Sequence, residues 1–397
     1  MTGEDGYVFR RSQLTRIMPN HELPEAVGLD PARWNQALQL AEIWCRDDCL
    51  PALGMIAGRA DRATAVHLFG RQRPTPDSEP IREDAIFLIA SITKPIVATG
   101  AMLLIERGRL TLEDRVCDHI PEFRGSGRYG ITVRHLLTHT SGLPDMLPNN
   151  RELRIDHAPF SAFVEGTCQI EPDFPAGRDV RYQSMGFALL GEIISRLSGQ
   201  PYAEFLKSEL FDPLGMADTA LGAPADWYAG ENPQADRMTD IRVPDAQADA
   251  ADWGWNSRYW RSFGAPWGGL LTTPADLARF AQMMLSGGRC GNAQILSAAS
   301  IRAATTNQLQ AMADVPESER RCRPWGLGWR LNWPAHSTNF GDLLGPHTYG
   351  HWGATGTVMW IDPDRQRFTV IFTTEPQEPL GFYLARLSNA VAAAWVD

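Results

Sequence analysis

Lysine is almost absent from this sequence of 397 residues. Only Lys94 and Lys207 occur, and arginine supplies the rest of the 37 basic side chains. Lys94 stands three residues after Ser91, inside the apolar run IASITKPIVATGAMLLIERG at 89–108. Because removing an ammonium group from water costs free energy unless a partner compensates, this position requires a chemical or structural reason.

Basic clusters and long apolar runs are also missing. The formal net charge is −10 and the charges are interspersed, which argues against a nucleic-acid-binding protein. The longest apolar stretch is the one just quoted, and it is shorter than the roughly 20 residues of a membrane helix. The first residues lack an apolar core of signal-peptide length. We therefore expect a cytoplasmic protein that contacts neither nucleic acid nor membrane, with an oligomeric state that the sequence leaves open.

Cysteine is sparse, and no common cofactor or metal motif is complete. Six scattered cysteines predict reduced thiols. Cys45 and Cys49 lie one helical turn apart without a second ligand pair, so we expect no metal there. His135 and His139 have the spacing of a zinc helix, but Leu136 replaces the required glutamate. No Gly-x-Ser-x-Gly elbow, phosphate loop or dinucleotide fingerprint occurs, which excludes an α/β-hydrolase and predicts no cofactor.

Hydrophobic periodicity predicts strands near both ends of the chain and helices between them. The predicted helices are 29–48, with Asp30 as N-cap, 89–108, 185–201, 273–288 and a last one at the C-terminus. The predicted strands are 53–58, 63–70, 326–333, 356–363 and 367–375. We predict an α+β fold: an antiparallel β-sheet flanked by helices, formed by N- and C-terminal segments, with an inserted, mostly helical subdomain. The expected parts are an N-terminal extension at 1–26, a sheet subdomain at 27–95 and 325–397, and a helical subdomain at 96–324, with the catalytic cleft between the two subdomains.

The spacing of Ser91 and Lys94 suggests nucleophilic chemistry. In a helix the two side chains share a face, one turn apart. At a helix start, the serine oxygen lies near free backbone N–H groups, and Pro95 is tolerated there. Apolar surroundings lower the pKa of a lysine, and a serine beside such a lysine is an activated nucleophile. A lysine whose alkyl chain packs on apolar surface while its charge reaches water would give the same short pattern.

Two further motifs complete a known constellation. Tyr182-x-Ser184 lies in RYQSMG, and His351-x-Gly353 lies in YGHWGATG. Together with ITVRHLLTHTSGLPD, LFDPLGMADT and GGLLTTPADLARF, these motifs resemble the serine β-lactamase/penicillin-binding protein superfamily. The resemblance is to its class C-like branch, which includes D,D-peptidases and family VIII carboxylesterases. It extends from about residue 30 to the C-terminus, and the branch carries Ser-x-x-Lys, Tyr-x-Asn/Ser and Lys/His/Trp-x-Gly in this order.

The resemblance implies a fold of the β-lactamase/transpeptidase type and a set of catalytic roles. Ser91 would attack an acyl carbonyl and form an acyl-enzyme. Lys94 and Tyr182 would share the general-base role. The backbone N–H groups of Ser91 and Ala354 would form the oxyanion hole.

The resemblance also implies residues that contact the substrate. Ser184 stands where the family often has asparagine, and it either bonds Lys94 or the substrate or caps the helix. His351 replaces the lysine typical of β-lactamases, which leaves a hydrogen bond or a partial charge in place of a fixed cation. Trp352 either lines a pocket for the acyl or alcohol group of the substrate or packs against other side chains of the protein. Gly353 allows the strand to approach a substrate closely.

We expect a carboxylesterase for small or medium acyl esters, because of the His-Trp-Gly strand and the missing export signal. Alternatives are a β-lactamase, a D-amino-acid peptidase or amidase, and an acyltransferase. A penicillin-binding sensor or pseudoenzyme, which stalls after acylation, is an alternative of another class. The partner in each case is a small-molecule ester, amide or lactam, without cofactor or metal. The tryptophan-rich loop 252–269 either covers the cleft or fills space between the subdomains.

Overall fold

The computed structural model describes residues 22–244, 247–332, 340–376 and 382–396. Its α-helices are α1 Pro24–Val27, α2 Pro31–Arg46, α3 Thr93–Glu106, α4 Val116–His119, α5 Val133–Leu137, α6 Asn150–Ile155, α7 Phe160–Gln169, α8 Met185–Ser198, α9 Tyr202–Leu206, α10 Asp212–Leu214, α11 Arg258–Phe263, α12 Pro274–Leu285, α13 Ala298–Ala304, α14 Glu317–Cys322 and α15 Phe382–Ala394. Its strands are β1 Ala52–Arg59, β2 His67–Gly70, β3 Phe87–Leu88, β4 Ala220–Leu221, β5 Leu270–Thr272, β6 Arg289–Cys290, β7 Ala293–Gln294, β8 Arg330–Leu331, β9 Tyr349–Gly353, β10 Thr357–Asp362 and β11 Arg367–Thr373.

Both ends of the chain build one six-stranded sheet with the order β2-β1-β11-β10-β9-β8. Neighbouring strands are antiparallel throughout, and β1 pairs with β11 through partners such as Met55 and Ile371. The predicted α+β fold, with a sheet drawn from both termini, is therefore confirmed. The boundaries between the subdomains remain a prediction, and only 22–26 of the expected N-terminal extension belong to the described residues.

The two faces of the sheet bury two different cores. Side chains alternate between faces along a strand. In β10, Val358 and Trp360 pack on the side of α2 and α15, while Met359 and Ile361 pack on the side of the helical region. Because β9 pairs with β10 in a fixed register, this alternation also decides which β9 side chains face the helical region.

Helix α3 is the centre of the helical region. It is apolar on every side, and twelve of its 14 residues are buried, which is typical of a helix surrounded by other elements. It packs against α8, which ends at Gly199 in the left-handed conformation. The N-terminus of α3 consequently lies fixed beside the sheet, where a reactive side chain can be held still.

Local signals predicted several of the longer elements correctly. The Asp30 carboxylate accepts a hydrogen bond from the Arg33 amide at 2.8 Å, as an N-cap should. Residue 333 of the predicted strand at 326–333 lies outside the described residues. Among 326–332, the strand is confined to Arg330–Leu331, because Gly328 takes a φ of 77° that breaks extended structure, so the predicted strand is too long. Among the described helices, none combines the length and apolarity needed to cross a membrane.

Candidate active site

Ser91 lies in a 3-10 turn, Ala90–Ile92, between β3 and α3. The preceding residue, Ala90, has a φ of 44°, an uncommon conformation for a residue with a side chain. Thr93 holds the turn: its hydroxyl donates to the Ala90 carbonyl at 2.6 Å and accepts from the Leu270 amide at 3.0 Å. Ser91 itself is half-buried, so its hydroxyl is fixed in place and still reachable.

Lys94 is completely buried in the first turn of α3. Its Nζ lies 3.0 Å from Ser91 Oγ and 2.9 Å from the carbonyl oxygen of Trp267. Burial lowers the pKa of Lys94 to about 7, and the negative charge of Asp145 opposes the shift. Within the described ranges no carboxylate forms an ion pair with Lys94. The amine can therefore change its protonation state near neutral pH.

Tyr182 completes the predicted catalytic set. Its ring centre lies 4.6 Å from the Nζ of Lys94, and its side chain is hydrogen-bonded to Ser91. Burial raises the pKa of Tyr182 well above its usual range, and the Asp145 carboxylate adds to the shift, while the bond to Ser91 lowers it in part. Tyr182 is consequently a neutral phenol at ordinary pH, and the structure brings it together with both residues of the Ser-x-x-Lys motif.

His351 faces the same space from β9. It is fully buried, and its ring centre lies 6.1 Å from that of Tyr182. Its Nδ1 lies 2.7 Å from the Trp352 carbonyl, so Nδ1–H donates and Nε2 keeps its lone pair. Burial and the positive charge of Lys94 lower the pKa of His351 to about 3. His351 is therefore uncharged, and of the two options that the sequence left open, a hydrogen bond fits better than a charge.

Two threonines of the β9–β10 hairpin form hydrogen bonds with the chain just before Ser91. Thr355 donates to the Leu88 carbonyl at 2.7 Å, and Thr357 donates to the Ile89 carbonyl at 3.0 Å. Both threonine side chains are buried. These bonds determine where the turn after β9 lies relative to the serine. Neither residue stands out in the sequence, because a threonine in a turn or at the start of a strand is ordinary.

Gly353 and Ala354 lie at this contact. A Cβ on Gly353 would collide with the Ile89 carbonyl oxygen, so only glycine permits this approach of β9 to the serine turn. Ala354 follows in the turn and is itself exposed. Neither the Ser91 nor the Ala354 amide donates a hydrogen bond to another group within the described residues. Two free N–H groups on touching segments are what an oxyanion hole requires.

Ser184 and Trp352 both contact other side chains of the protein. The Ser184 hydroxyl donates to the Asp145 carboxylate at 2.6 Å and makes no capping bond, although Ser184 occupies the N-cap position of α8. Trp352 alternates with His351 and packs on the other side of the sheet, with Phe340 5.6 Å away between ring centres. Substrate contacts by both residues therefore remain proposals.

The tryptophan-rich loop contributes to the site through its backbone. Its indoles Trp260 and Trp267 are buried in the core of the helical region, where the ring of Trp267 lies 5.6 Å from that of Phe163. The carbonyl of Trp267 is the acceptor for Lys94. Packing of the indoles thus fixes the position of a polar backbone atom beside the catalytic amine.

Arg330 is a charged residue near the site that sequence analysis missed. It is 4% exposed and its guanidinium lies 5.1 Å from the ring centre of Trp325 and 5.7 Å from that of Trp352. No hydrogen bond or ion pair joins it to another residue in the described part of the chain. Burial lowers the pKa of Arg330 to about 10. The only sequence signal was an arginine within the apolar segment GLGWRLNW.

Known proteins share this architecture. The chain matches the Beta-lactamase family over residues 52–393. It is 28% identical over 319 residues to a protein of Escherichia coli K12 named "Putative D-alanyl-D-alanine carboxypeptidase", covering 74% of this chain and 70% of that one. A penicillin-binding protein homologue from Caulobacter crescentus is similar in structure, with a TM-score of 0.76, 23% identity and coverage of 92% and 99% of the two chains.

A family VIII carboxylesterase has the same fold, with a TM-score of 0.72, 20% identity and coverage of 92% of this chain and 99% of that one. Identities this low establish the fold and leave the substrate open. In the described residues, no three side chains of metal-binding type converge. The match extends over most of the sequence and includes the segments that carry Ser91, Tyr182 and His351. The chain therefore belongs to the beta-lactamase family.

Proposed function

We propose that this protein is a serine hydrolase that acts through an acyl-enzyme, as a carboxylesterase for small or medium acyl esters. The observation that supports hydrolysis is the contact of Ser91 with the buried amine of Lys94 and with Tyr182. The observation that favours esters over β-lactams is the neutral His351 at the position where β-lactamases have a fixed cation.

Acylation begins with loss of the serine proton. In its neutral form, Lys94 donates to the Trp267 carbonyl and accepts the hydrogen bond of the Ser91 hydroxyl. As Ser91 Oγ forms a bond to the ester carbonyl carbon, its proton moves to Nζ of Lys94. The negative charge on the carbonyl oxygen is stabilised by the N–H groups of Ser91 and Ala354.

The leaving alcohol then requires a proton. Tyr182 is a phenol beside Ser91, and it can donate its proton to the departing alkoxide while the Lys94 ammonium replaces that proton. The acyl group stays on Ser91, the alcohol leaves, and Lys94 and Tyr182 recover their starting states. Water repeats the sequence in reverse: it loses a proton to the same pair, attacks the acyl carbonyl and releases Ser91.

Hydrolysis of p-nitrophenyl acetate and butyrate, beside a chromogenic cephalosporin, tests this proposal. We expect ester turnover that Ser91→Ala abolishes and that Ser262→Ala, a change at an exposed serine, leaves unaltered. Fast cephalosporin cleavage would identify a β-lactamase instead. A burst without turnover would identify a sensor, and equal ester rates in wild type and Ser91→Ala would exclude Ser91 as the nucleophile.

A second candidate function is a D-amino-acid carboxypeptidase, and Arg330 is the observation that favours it. A nearly buried guanidinium without a protein partner among the described residues can bind a carboxylate in two hydrogen bonds. The Arg330 guanidinium lies 5.1 Å from the ring centre of Trp325, whose ring centre lies 6.0 Å from that of Tyr182. The named function of the Escherichia coli relative involves a substrate that ends in a carboxylate.

Matched peptides separate this candidate from the first. We would compare an N-acyl-D-alanyl-D-alanine with its C-terminal amide, in wild type and in Arg330→Gln. A carboxypeptidase should prefer the free acid, and the variant should lose roughly 10- to 100-fold on the acid alone, as for a lost charged hydrogen bond. Equal losses on both peptides would show that Arg330 is structural, and absence of cleavage in wild type would exclude this candidate.

A further inference from the structure

His139 lies directly behind Tyr182 in the loop that follows α5, and it is fully buried. Its carbonyl oxygen accepts a hydrogen bond from the Arg181 amide at 2.9 Å. Its Nδ1 accepts another from the Gln183 amide at 3.1 Å. A single residue therefore holds the backbone on both sides of Tyr182.

The imidazole also packs on the ring of Tyr182. The two rings are stacked, with centres 4.7 Å apart and planes inclined by 27°. The centre of the imidazole also lies 4.1 Å from the ring centre of Trp325 and 5.7 Å from that of Phe187. Rotation of Tyr182 away from Ser91 would have to disturb this aromatic group, since all four rings are packed together.

The backbone conformation and the burial of His139 are energetically unfavourable, which indicates that they serve the active site. His139 has a φ of 59°, in the left-handed region. Because Nδ1 accepts a hydrogen bond, the proton of the neutral ring is on Nε2, and Nε2 has no partner within the described ranges. A buried polar group without a partner destabilises the folded state. Burial and the positive charges of Lys94 and Arg330 hold the pKa of His139 far below its usual value, so the ring stays neutral and Nδ1 stays an acceptor.

We propose that His139 is a positioning residue: it fixes the ring and the flanking backbone of Tyr182 so that the phenol stays in contact with Ser91. This inference rests on the proposed acyl-enzyme mechanism. It makes the second histidine of HLLTH, whose spacing suggested a zinc helix with an incomplete motif, part of the catalytic architecture. The imidazole acts through Tyr182 and is not placed in contact with the reacting atoms.

Two variants separate its two contributions. His139→Asn keeps a hydrogen-bond acceptor near the position of Nδ1 and tolerates a left-handed backbone, but it has no ring. His139→Phe keeps a ring for stacking but has no acceptor. The matched control is His157→Phe, because His157 also has a positive φ, of 49°, and stacks on a tyrosine, Tyr259, at 4.6 Å, outside the site.

The readouts are kcat and KM for p-nitrophenyl butyrate, normalised to the fraction of sites that react with a fluorophosphonate probe. We expect His139→Phe to lower kcat roughly 100-fold with little change in KM, as for a displaced catalytic group, and to alter the acid limb of the pH profile. His139→Asn should restore part of the rate, and His157→Phe should match wild type.

Unchanged kcat per reactive site in both His139 variants, with only thermal stability reduced, would overturn the proposal. A wild type that reacts with the probe but turns over no ester would instead contradict the proposed function. In that event the rate of probe reaction replaces kcat, and His139→Phe should slow it while His157→Phe should not. Equal probe rates in all three proteins would then exclude the positioning role.

Discussion

The two lysines of this chain lie in opposite environments. Lys94 is fully buried, and its Nζ contacts an alcohol, Ser91, and a backbone carbonyl. The side chain of Lys207 is 56% exposed, and its Nζ lies 2.7 and 2.8 Å from the two carboxylate oxygens of Asp212. One amine has polar neighbours without charge, and the other has a full counter-charge in water.

This difference shows that the environment of a lysine, and not its rarity, determines its chemistry. An exposed ion pair such as that of Lys207 contributes at most about 1 kcal/mol, and an arginine could form it equally well. At position 94, arginine would stay charged at every accessible pH and could not accept a proton. A buried amine whose pKa is lowered to about 7 can accept one near neutrality.

The same substitution at both lysines gives the largest expected contrast. Lys94→Arg should lower kcat/KM for p-nitrophenyl butyrate by roughly 10⁴-fold, because the general base is lost. Lys207→Arg should keep the rate within about twofold, since it keeps the surface ion pair. Ester kinetics on both purified variants, with circular dichroism to verify folding, make the comparison. A folded Lys94→Arg enzyme of near-normal rate would exclude Lys94 as the base.

Much of the fold around Lys94 could be predicted from the sequence, because the signals for it are local. The Asp30–Pro31 pair starts a helix at the expected place, and Gly199 ends another. The Ser-x-x-Lys spacing placed Ser91 and Lys94 together, as the structure does. Each of these signals depends on residues within a few positions of one another.

The remaining features of the site depend on contacts between distant parts of the chain. The acceptor of Lys94 is a backbone carbonyl, that of Trp267, 173 residues away, and every residue has such a carbonyl. Asp145 accepts the hydroxyl of Ser184 from another loop. His351 is uncharged because it is completely buried, and burial cannot be read from a short sequence motif. Sequence patterns identified the side chains of the site but not the partners that set their protonation.

The buried amine of Lys94 should make the free energy of unfolding depend on pH. Lys94 has a pKa of about 7 in the folded protein and 10.5 as an ordinary lysine. Between these values the unfolded chain binds more protons, so the free energy of unfolding rises with pH through this window. Below about pH 7 both states are protonated and the full penalty is present. Its upper bound is about 5 kcal/mol, at 1.36 kcal/mol per pKa unit.

Urea unfolding of wild type and Lys94→Met at several pH values measures this effect. The difference between the two free energies should favour wild type increasingly from about pH 7 to pH 10, because a methionine side chain does not titrate there. The same experiment on Lys207→Met, which removes the exposed amine, is the control. A constant difference for Lys94→Met would show that the buried amine keeps an ordinary pKa.

The smallest effect concerns the threonines that surround the site. Thr355→Val removes the hydroxyl that donates to the Leu88 carbonyl and fixes the turn carrying the Ala354 amide. We expect kcat for p-nitrophenyl butyrate to fall about tenfold with KM nearly unchanged, as for a weakened oxyanion contact. Thr369→Val is the control, because Thr369 is equally buried in β11 and its hydroxyl has no partner within the described ranges.

The two threonine variants separate stability from catalysis. Thr355→Val leaves a buried carbonyl without a donor and should cost about 1–3 kcal/mol of unfolding free energy, whereas Thr369→Val should be neutral or stabilising. If Thr355→Val lost stability while kcat stayed normal, the Ala354 amide would not depend on this anchor. Thr355→Val could instead lower kcat while the stability difference between wild type and Lys94→Met still depends on pH. The oxyanion hole and the proton-transfer groups around Ser91 would then depend on separate contacts.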